Sequence, residues 1–571
     1  MTFLLHVAAD ENPDPTDVAS HLPGKARSFL LDKFRKFPSG ISSTHPDDNL
    51  SWPKRVLRID GAVVRLTDLE PTAQKDFVAL SYCWGDPEEL ALNPPLKATL
   101  STLEGLREGI SIEKLPLTIQ HAVRVCQFLT VGNIWVDSLC IIQDSVADWE
   151  TEAAKMGSIF ARAQFTIIAA SAKSCHSGFL GGKLSPECTT LYSSHNDGYR
   201  ITARFRCISG IHKRLETLVD PVDYRGWTYQ EELLSNRYIK FTGDDIQWKC
   251  NQELDCLCGQ EADQDHKSCT NLQDFGRFGP LSTWERIATG FAARKLTFDN
   301  DKLPALSGLA RMMAPHFPAP HNQARYLAGL WWKDLVQQLT WYVPDHISIA
   351  TDPDSYMAPT FSWASLRPGC KLDFMRPPLL VAEALSGKTD LLRSDTDEFG
   401  RVTGGRLVLR GPLSPCKISL RCFDPASGRE PRFELQNTTI FNDNPSIINI
   451  FFPDCWLSPS SVEGIQSVQR TKELPPTACD QTVEAKLLIL SKGTNIRNKK
   501  RTKRGQESPR KNAEVREEEE EEIHIFHGLV LGHQRGAKVY QRVGMAYIQA
   551  RRQAGQKGPE IERYVQVVTV I

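Results

Sequence analysis

The sequence predicts an α/β protein: an N-terminal three-layer unit on a mainly parallel sheet, then a helical Trp-rich region, then a β-rich C-terminal unit. Three observations carry the prediction. Short apolar runs alternate with helical periodicity from Leu57 to Cys250, tryptophans crowd Trp284 to Trp363, and β-type runs broken by Pro, Gly and Asp follow residue 370. The 571 residues are enough for about two to four domains. Expected boundaries are a flexible leader over 1–50, rich in Pro, Asp, Ser and His, the α/β unit over 51–275, the Trp-rich region over 276–370 and the β-rich region over 371–571. Within the last, 495–523 reads as a disordered charged insertion, because eight basic residues from Arg497 to Lys511 and six consecutive glutamates from Glu517 cannot bury a core.

Composition sets further bounds. Apolar residues make up 41%, which excludes a wholly disordered, collagenous or mucin-like chain. Lys plus Arg (68) against Asp plus Glu (69) leaves a formal charge of −1, so nucleic acid or a membrane surface would need a local patch. Fifteen scattered cysteines read as reduced, mostly buried thiols. With no signal pattern at the N-terminus and no run of 18 apolar residues, the expected place is the cytoplasm or the nucleus, without membrane association.

The elements follow in order. Phe77 to Tyr82 is a short apolar run halted by Gly85 and Pro87, as a buried strand would be. Leu115, Ile119, Ala122, Val123, Cys126 and Leu129 fall at helical spacing, with Pro116 in the first turn and Gly132 beyond the end. Ile134 to Asp137 with Leu139 to Ile142 predicts a second strand. Asp148 as N-cap with Trp149, Ala153, Met156 and Phe160 on one face predicts a second helix, and Phe165 to Ala170 a third strand. Two right-handed crossovers in succession make the strands parallel and bring their carboxyl ends to one edge, where ligand crevices of open α/β sheets lie. Ser81, Trp84 and Asp137 are expected there.

These residues carry a resemblance. Leu80-Ser-Tyr-Cys-Trp-Gly85, Leu115-Pro-Leu-Thr-Ile119, Trp135-Val-Asp-Ser-Leu-Cys-Ile-Ile-Gln-Asp144 with Asp148-Trp149, Glu152 and Met156, and Arg225-Gly-Trp-Thr-Tyr-Gln-Glu-Glu-Leu-Leu-Ser235 resemble the HET domain of fungal heterokaryon incompatibility proteins. Cys83, Phe160 and Tyr229 depart from the usual pattern, while the charged positions keep it. The resemblance implies nonself recognition between fungal cells, with the domain triggering growth arrest or cell death through protein partners or self-assembly. It also implies a distant similarity to TIR domains, some of which cleave NAD through a glutamate.

Cleaving that glycosidic bond passes through an oxocarbenium-like centre, which a carboxylate beside the ribose would stabilise. Glu152 is the first candidate and Glu231 the second; the competing readings are a helix residue paired with Lys155 at i+3, and an acid favoured near a helix N-terminus. Asp137 would hold a ribose hydroxyl or cap the next turn, and Ser81 would donate to phosphate or satisfy a strand end. Trp84, Trp135 and Trp227 would stack on a base or fill the core. NAD is thus a candidate substrate. Cys140, inside an apolar run with no paired His, is not a nucleophile candidate. Cys250, Cys256, Cys258, His266 and Cys269 lack a common zinc spacing, so no metal is assigned. The basic run 497–511 raises a third reading, a nuclear or nucleic-acid-binding factor, which the adjoining glutamates disfavour.

Overall fold

A computed structural model describes residues 2–9, 24–36, 51–69, 76–180, 188–193, 199–206, 220–243, 245–250, 253–257, 275–320, 324–344, 355–392, 398–421, 432–436, 447–454, 457–462, 465–470, 481–501, 517–533, 539–552 and 561–571. The chain divides into two compact units, residues 1–278 with 305–311, and 279–304 with 312–571.

The first unit is built on a nine-stranded sheet. Its strands are β1 (Arg55–Asp60), β2 (Val63–Asp68), β3 (Val78–Ser81), β4 (Ile110–Ser111), β5 (Asn133–Trp135), β6 (Thr166–Ile168), β7 (Tyr238–Phe241), β8 (Ile246–Lys249) and β9 (Leu254–Cys256), in the order β9-β8-β7-β6-β3-β5-β1-β2-β4. Parallel pairing holds for β5 with β3, β3 with β6 and β6 with β7. The predicted parallel core is therefore present, but antiparallel strands extend it on both sides. All four residues of β3 are buried, as its unbroken apolar run requires.

The helices of this unit are α1 (Gly24–Lys36), α2 (Pro87–Leu92), α3 (Leu103–Glu108), α4 (Leu117–Phe128), α5 (Asp137–Cys140), α6 (Val146–Ala153), α7 (Met156–Arg162) and α8 (Gly226–Leu234). From β3 the chain crosses through α4 to β5 on one side, then through α6 and α7 to β6 on the other, which puts the two crossovers on opposite faces. Adjacent residues of β7 report both faces. The Phe241 ring packs on Phe179, which meets His121 of α4, while the Lys240 ammonium lies 2.7 Å from Asp223 and 3.2 Å from Glu232 of α8. Three layers result.

Several expectations are corrected. Leu139 to Ile142 is not a strand: α5 takes the chain into a helical turn, because a four-residue apolar run fits a buried turn as well as a strand. Asp148 is not the N-cap of α6; Ser145 is, its hydroxyl accepting from Asp148 N. The predicted single helix through Phe160 breaks between α6 and α7. The leader expected over 1–50 contains α1, whose Ala26 and Leu30 enter the sheet's core and whose Lys33 pairs with Glu253 and Asp255.

In the second unit the Trp-rich region is helical only in part. Trp284 lies on the helix Phe275–Ala292, kinked at Gly279, but Trp331 and Trp341 lie on two-residue strands and Trp363 on a 3-10 turn. Both Trp284 and Trp363 donate to Gly329 O, at 2.9 and 3.0 Å. The β-rich region closes on itself: Val402–Arg421 pairs with Gln481–Arg501 and with Val565–Val570, and Glu517–His533 and Val539–Arg552 complete a ring of five strands. Pairing enters the expected insertion at 495–523 from both sides, with Arg497 opposite Glu521 and Arg501 opposite Glu517; residues 502–516 lie outside the described residues. Among the described residues no helix is long and apolar enough to cross a membrane.

Candidate functional site

The centre of the parallel core is where the strand order reverses. β3 has β5 on one side and β6 on the other, so the crossovers diverge beside its carboxyl end, the place where open α/β sheets hold their ligands. The chain leaves that end as Tyr82, Cys83 and Trp84 and then turns at Gly85, whose φ of +127° is a left-handed conformation that an L side chain resists.

Trp84 meets Asp137 at this edge. The indole Nε1 donates to Asp137 Oδ2 at 2.7 Å, and Ser138 N donates to Asp137 Oδ1 at 2.7 Å. Asp137 is thus the tryptophan's partner and, as the first residue of α5, also accepts from the next backbone N–H, with its side chain half-buried. Burial raises its carboxyl above the usual range, against the opposing pull of the Trp84 hydrogen bond and the Arg225 charge. Two residues before Trp84, the Tyr82 hydroxyl donates to Ser138 Oγ at 2.9 Å; burial, with Asp137 nearby, raises its pKa well above the ordinary phenol value. The Lys97 ammonium stands 5.1 Å from the centre of the Trp84 ring, within cation–π range.

The block beginning at Arg225 reaches the same edge from α8. Arg225 Nη1 donates to Tyr82 O at 3.0 Å, and the guanidinium faces both Asp137 and the Cys83 thiol. Burial raises the Cys83 pKa, while Arg225 pulls it down and Glu231 pushes it up. Glu231, whose charge acts on Cys83, is buried. Trp227 is partly buried and packs against the sheet's core.

Ser81 and Glu152 have different surroundings. Ser81 is 1% exposed, and its Oγ has no hydrogen-bond partner among the described residues. Glu152 is 0% exposed, and both oxygens are engaged: Oε1 accepts from Lys155 Nζ at 2.7 Å and Oε2 from Lys54 N at 3.0 Å. The i+3 pair with Lys155 is present, but inside the protein instead of on a solvated face. Cys140 is fully enclosed, its thiol pushed up to about 12 by burial. Cys250 is buried, whereas Cys258, His266 and Cys269 lie outside the described residues.

The sequence thus anticipated that Trp84 and Asp137, 53 positions apart, meet. It missed Arg225 and Lys97. Arg225 stands at the head of the fourth motif block, just ahead of α8, a position that carried a signal; nothing around Lys97 did.

The whole constellation falls inside one recognisable stretch. Residues 77–231 match the family model for heterokaryon incompatibility protein (HET). The matched HET domain begins one residue before β3 and ends at Glu231 on α8, so it contains three strands of the parallel core together with Trp84, Asp137, Glu152 and Arg225. No curated protein and no solved structure matches the chain significantly. The similarity is to the heterokaryon-incompatibility type in general terms and covers residues 77–231.

Proposed function

We propose that this HET domain triggers growth arrest or cell death in nonself recognition between fungal cells, acting through protein partners or self-assembly, and that the Trp84–Asp137–Arg225 edge is the part that must stay intact. The supporting observation is that residues from three of the family's blocks, far apart in sequence, meet at the switch point of the parallel core. Induced expression of the full chain in a fungal host tests it. Wild type should arrest growth, and Asp137→Asn and Trp84→Ala, made to the same level, should not. Normal growth with the wild type, or arrest as strong with Asp137→Asn, sinks the reading.

A second reading is that the domain, if TIR-like, hydrolyses NAD. A half-buried carboxyl beside an indole at the switch point favours it. The bond broken joins ribose C1′ to the nicotinamide nitrogen; nicotinamide leaves with the bonding pair, water adds to C1′, and a carboxylate stabilises the cationic centre between. Glu152 is poorly placed for that role because it is wholly enclosed, whereas Asp137 keeps part of its surface exposed. Asp137 and Glu231 remain. Nicotinamide release by the full chain should fall about 100-fold in Asp137→Asn or Glu231→Gln. Loss confined to Glu152→Gln, in protein that melts like wild type, would return the role to Glu152.

A further inference from the structure

Helix α6 is turned inside out. Its acids Asp148 and Glu152, one turn apart, face the interior: Asp148 pairs with Arg55 and accepts from Ile142 N at 2.9 Å, while Glu152 accepts from Lys54 N and Lys155. Its large apolar residues face out, Val146 at 73% exposure and Trp149 at 39%. Surface helices ordinarily do the reverse. The buried ion pairs fix the helix about its axis, so it cannot roll to cover Trp149 without leaving Arg55 unpaired in the core. Leu100, 67% exposed, stands beside this face, because Leu100 N is held by the Asp144 carboxylate at 2.9 Å and Gln143 N donates to Ala98 O.

The surroundings indicate what would cover these residues. Residues 144–153, the approach to α6 and the helix itself, hold four Asp and Glu and no Lys or Arg, and with Asp148 and Glu152 turned inward it is Asp144 and Glu150 that lie on the outer side. Asp144 and Glu150 flank Val146 and Trp149 directly, with the Lys54 ammonium at the rim, 4.0 Å from Asp148. We infer that the outward face of α6, with Leu100, is a docking surface for a cationic amphipathic helix of a partner protein, whose apolar side chains cover Val146, Trp149 and Leu100 and whose Lys and Arg meet Asp144 and Glu150. Complementary charge sets the encounter and the tryptophan supplies the anchor. The inference stands whether or not the Trp84–Asp137 edge is catalytic.

The test uses the full chain and a fluorescently labelled Lys/Leu peptide that folds as an amphipathic helix, followed by anisotropy. Wild type should bind, more weakly as salt rises. Val146→Ser/Trp149→Ser should lose at least about tenfold in affinity, and Asp144→Asn/Glu150→Gln should bind more weakly than wild type and lose much of the salt dependence. Leu392→Ser, an exposed apolar residue elsewhere, should bind as wild type does. Melting temperatures of the surface variants should match wild type, so that lost binding is not lost folding. Equal binding by wild type and Val146→Ser/Trp149→Ser overturns the inference, as does tighter binding of a Glu/Leu counterpart. So does a wild-type dimer that Val146→Ser dissociates, since a second copy would then be the occupant.

Discussion

Burial pushes the Glu285 carboxyl up to about 7, against the pull of the Arg376 charge, and its Oε1 has no hydrogen-bond partner among the described residues. The folded protein therefore holds this proton more tightly than the unfolded chain does. Its contribution to stability is complete below the unfolded value near 4.5 and is lost as pH rises through about 7. The melting temperature should fall between pH 5 and pH 8, and Glu285→Gln, which cannot ionise, should fall less. Parallel decline in the two proteins would show that Glu285 does not titrate in this way. The Arg55–Asp148 pair gives a second test, since Arg55 also donates to Cys140 O at 2.8 Å and is almost wholly buried. Asp148→Asn keeps the shape and removes the counter-charge, so urea unfolding should show a loss of about 3–5 kcal/mol. Single residues were the hardest scale to read from sequence. Asp148 reads as a cap and Glu152 as a catalytic candidate or a Lys155 partner, because their partners Arg55 and Lys54 lie more than 90 positions away.

Glycines decide how closely the helices of the first unit approach. A Cβ on Gly157 of α7 would come within 3.1 Å of Gly308 Cα, on the helix Pro304–Met313 whose residues 305–311 belong to this unit, and one on Gly308 within 2.7 Å of Gln230 Oε1 on α8, which accepts from Gly308 N. Gly308→Ala should cost about 1–3 kcal/mol by overpacking. Gly105→Ala, inside α3 with nothing within 4 Å of the added carbon, should instead stabilise by about 0.5–1 kcal/mol. Denaturant midpoints that move the same way in both would refute the packing account. At the scale of elements, β3, α4 and β6 were legible because each has a clear period and a stop signal near its end. The turn at α5 was not, since Leu139 to Ile142 is apolar without a period. Helix α1 was hidden by the Pro- and Asp-rich residues around it, although Ala26 and Leu30 stand at helical spacing.

Across the whole chain, alternation of strands and helices gives the first unit open edges, while the second unit's principal sheet returns on itself. Closing a ring pairs the backbone groups that an edge would leave bare. That closure was not legible, because strand partners such as Val402–Arg421 and Val565–Val570 are joined by long-range register that no local pattern encodes. The charged segment was read from composition alone as unable to order. Backbone pairing offers it a different outlet: Arg497, Lys499, Lys500 and Arg501 stand directly opposite Glu521, Glu519, Glu518 and Glu517. Opposite charges across antiparallel strands favour pairing, and like charges oppose it. In wild type, amide exchange over 497–501 should quicken as salt rises and screens the attraction. Glu518→Lys/Glu519→Lys turns two attractions into repulsions worth roughly 1–2 kcal/mol together, so exchange there should quicken about tenfold at low salt and then slow as salt is added. The opposite response to salt separates register pairing from a chain that is unpaired there. If exchange over 497–501 is as fast as in an isolated peptide of the same sequence and insensitive to both substitutions, the strands do not extend into the charged segment.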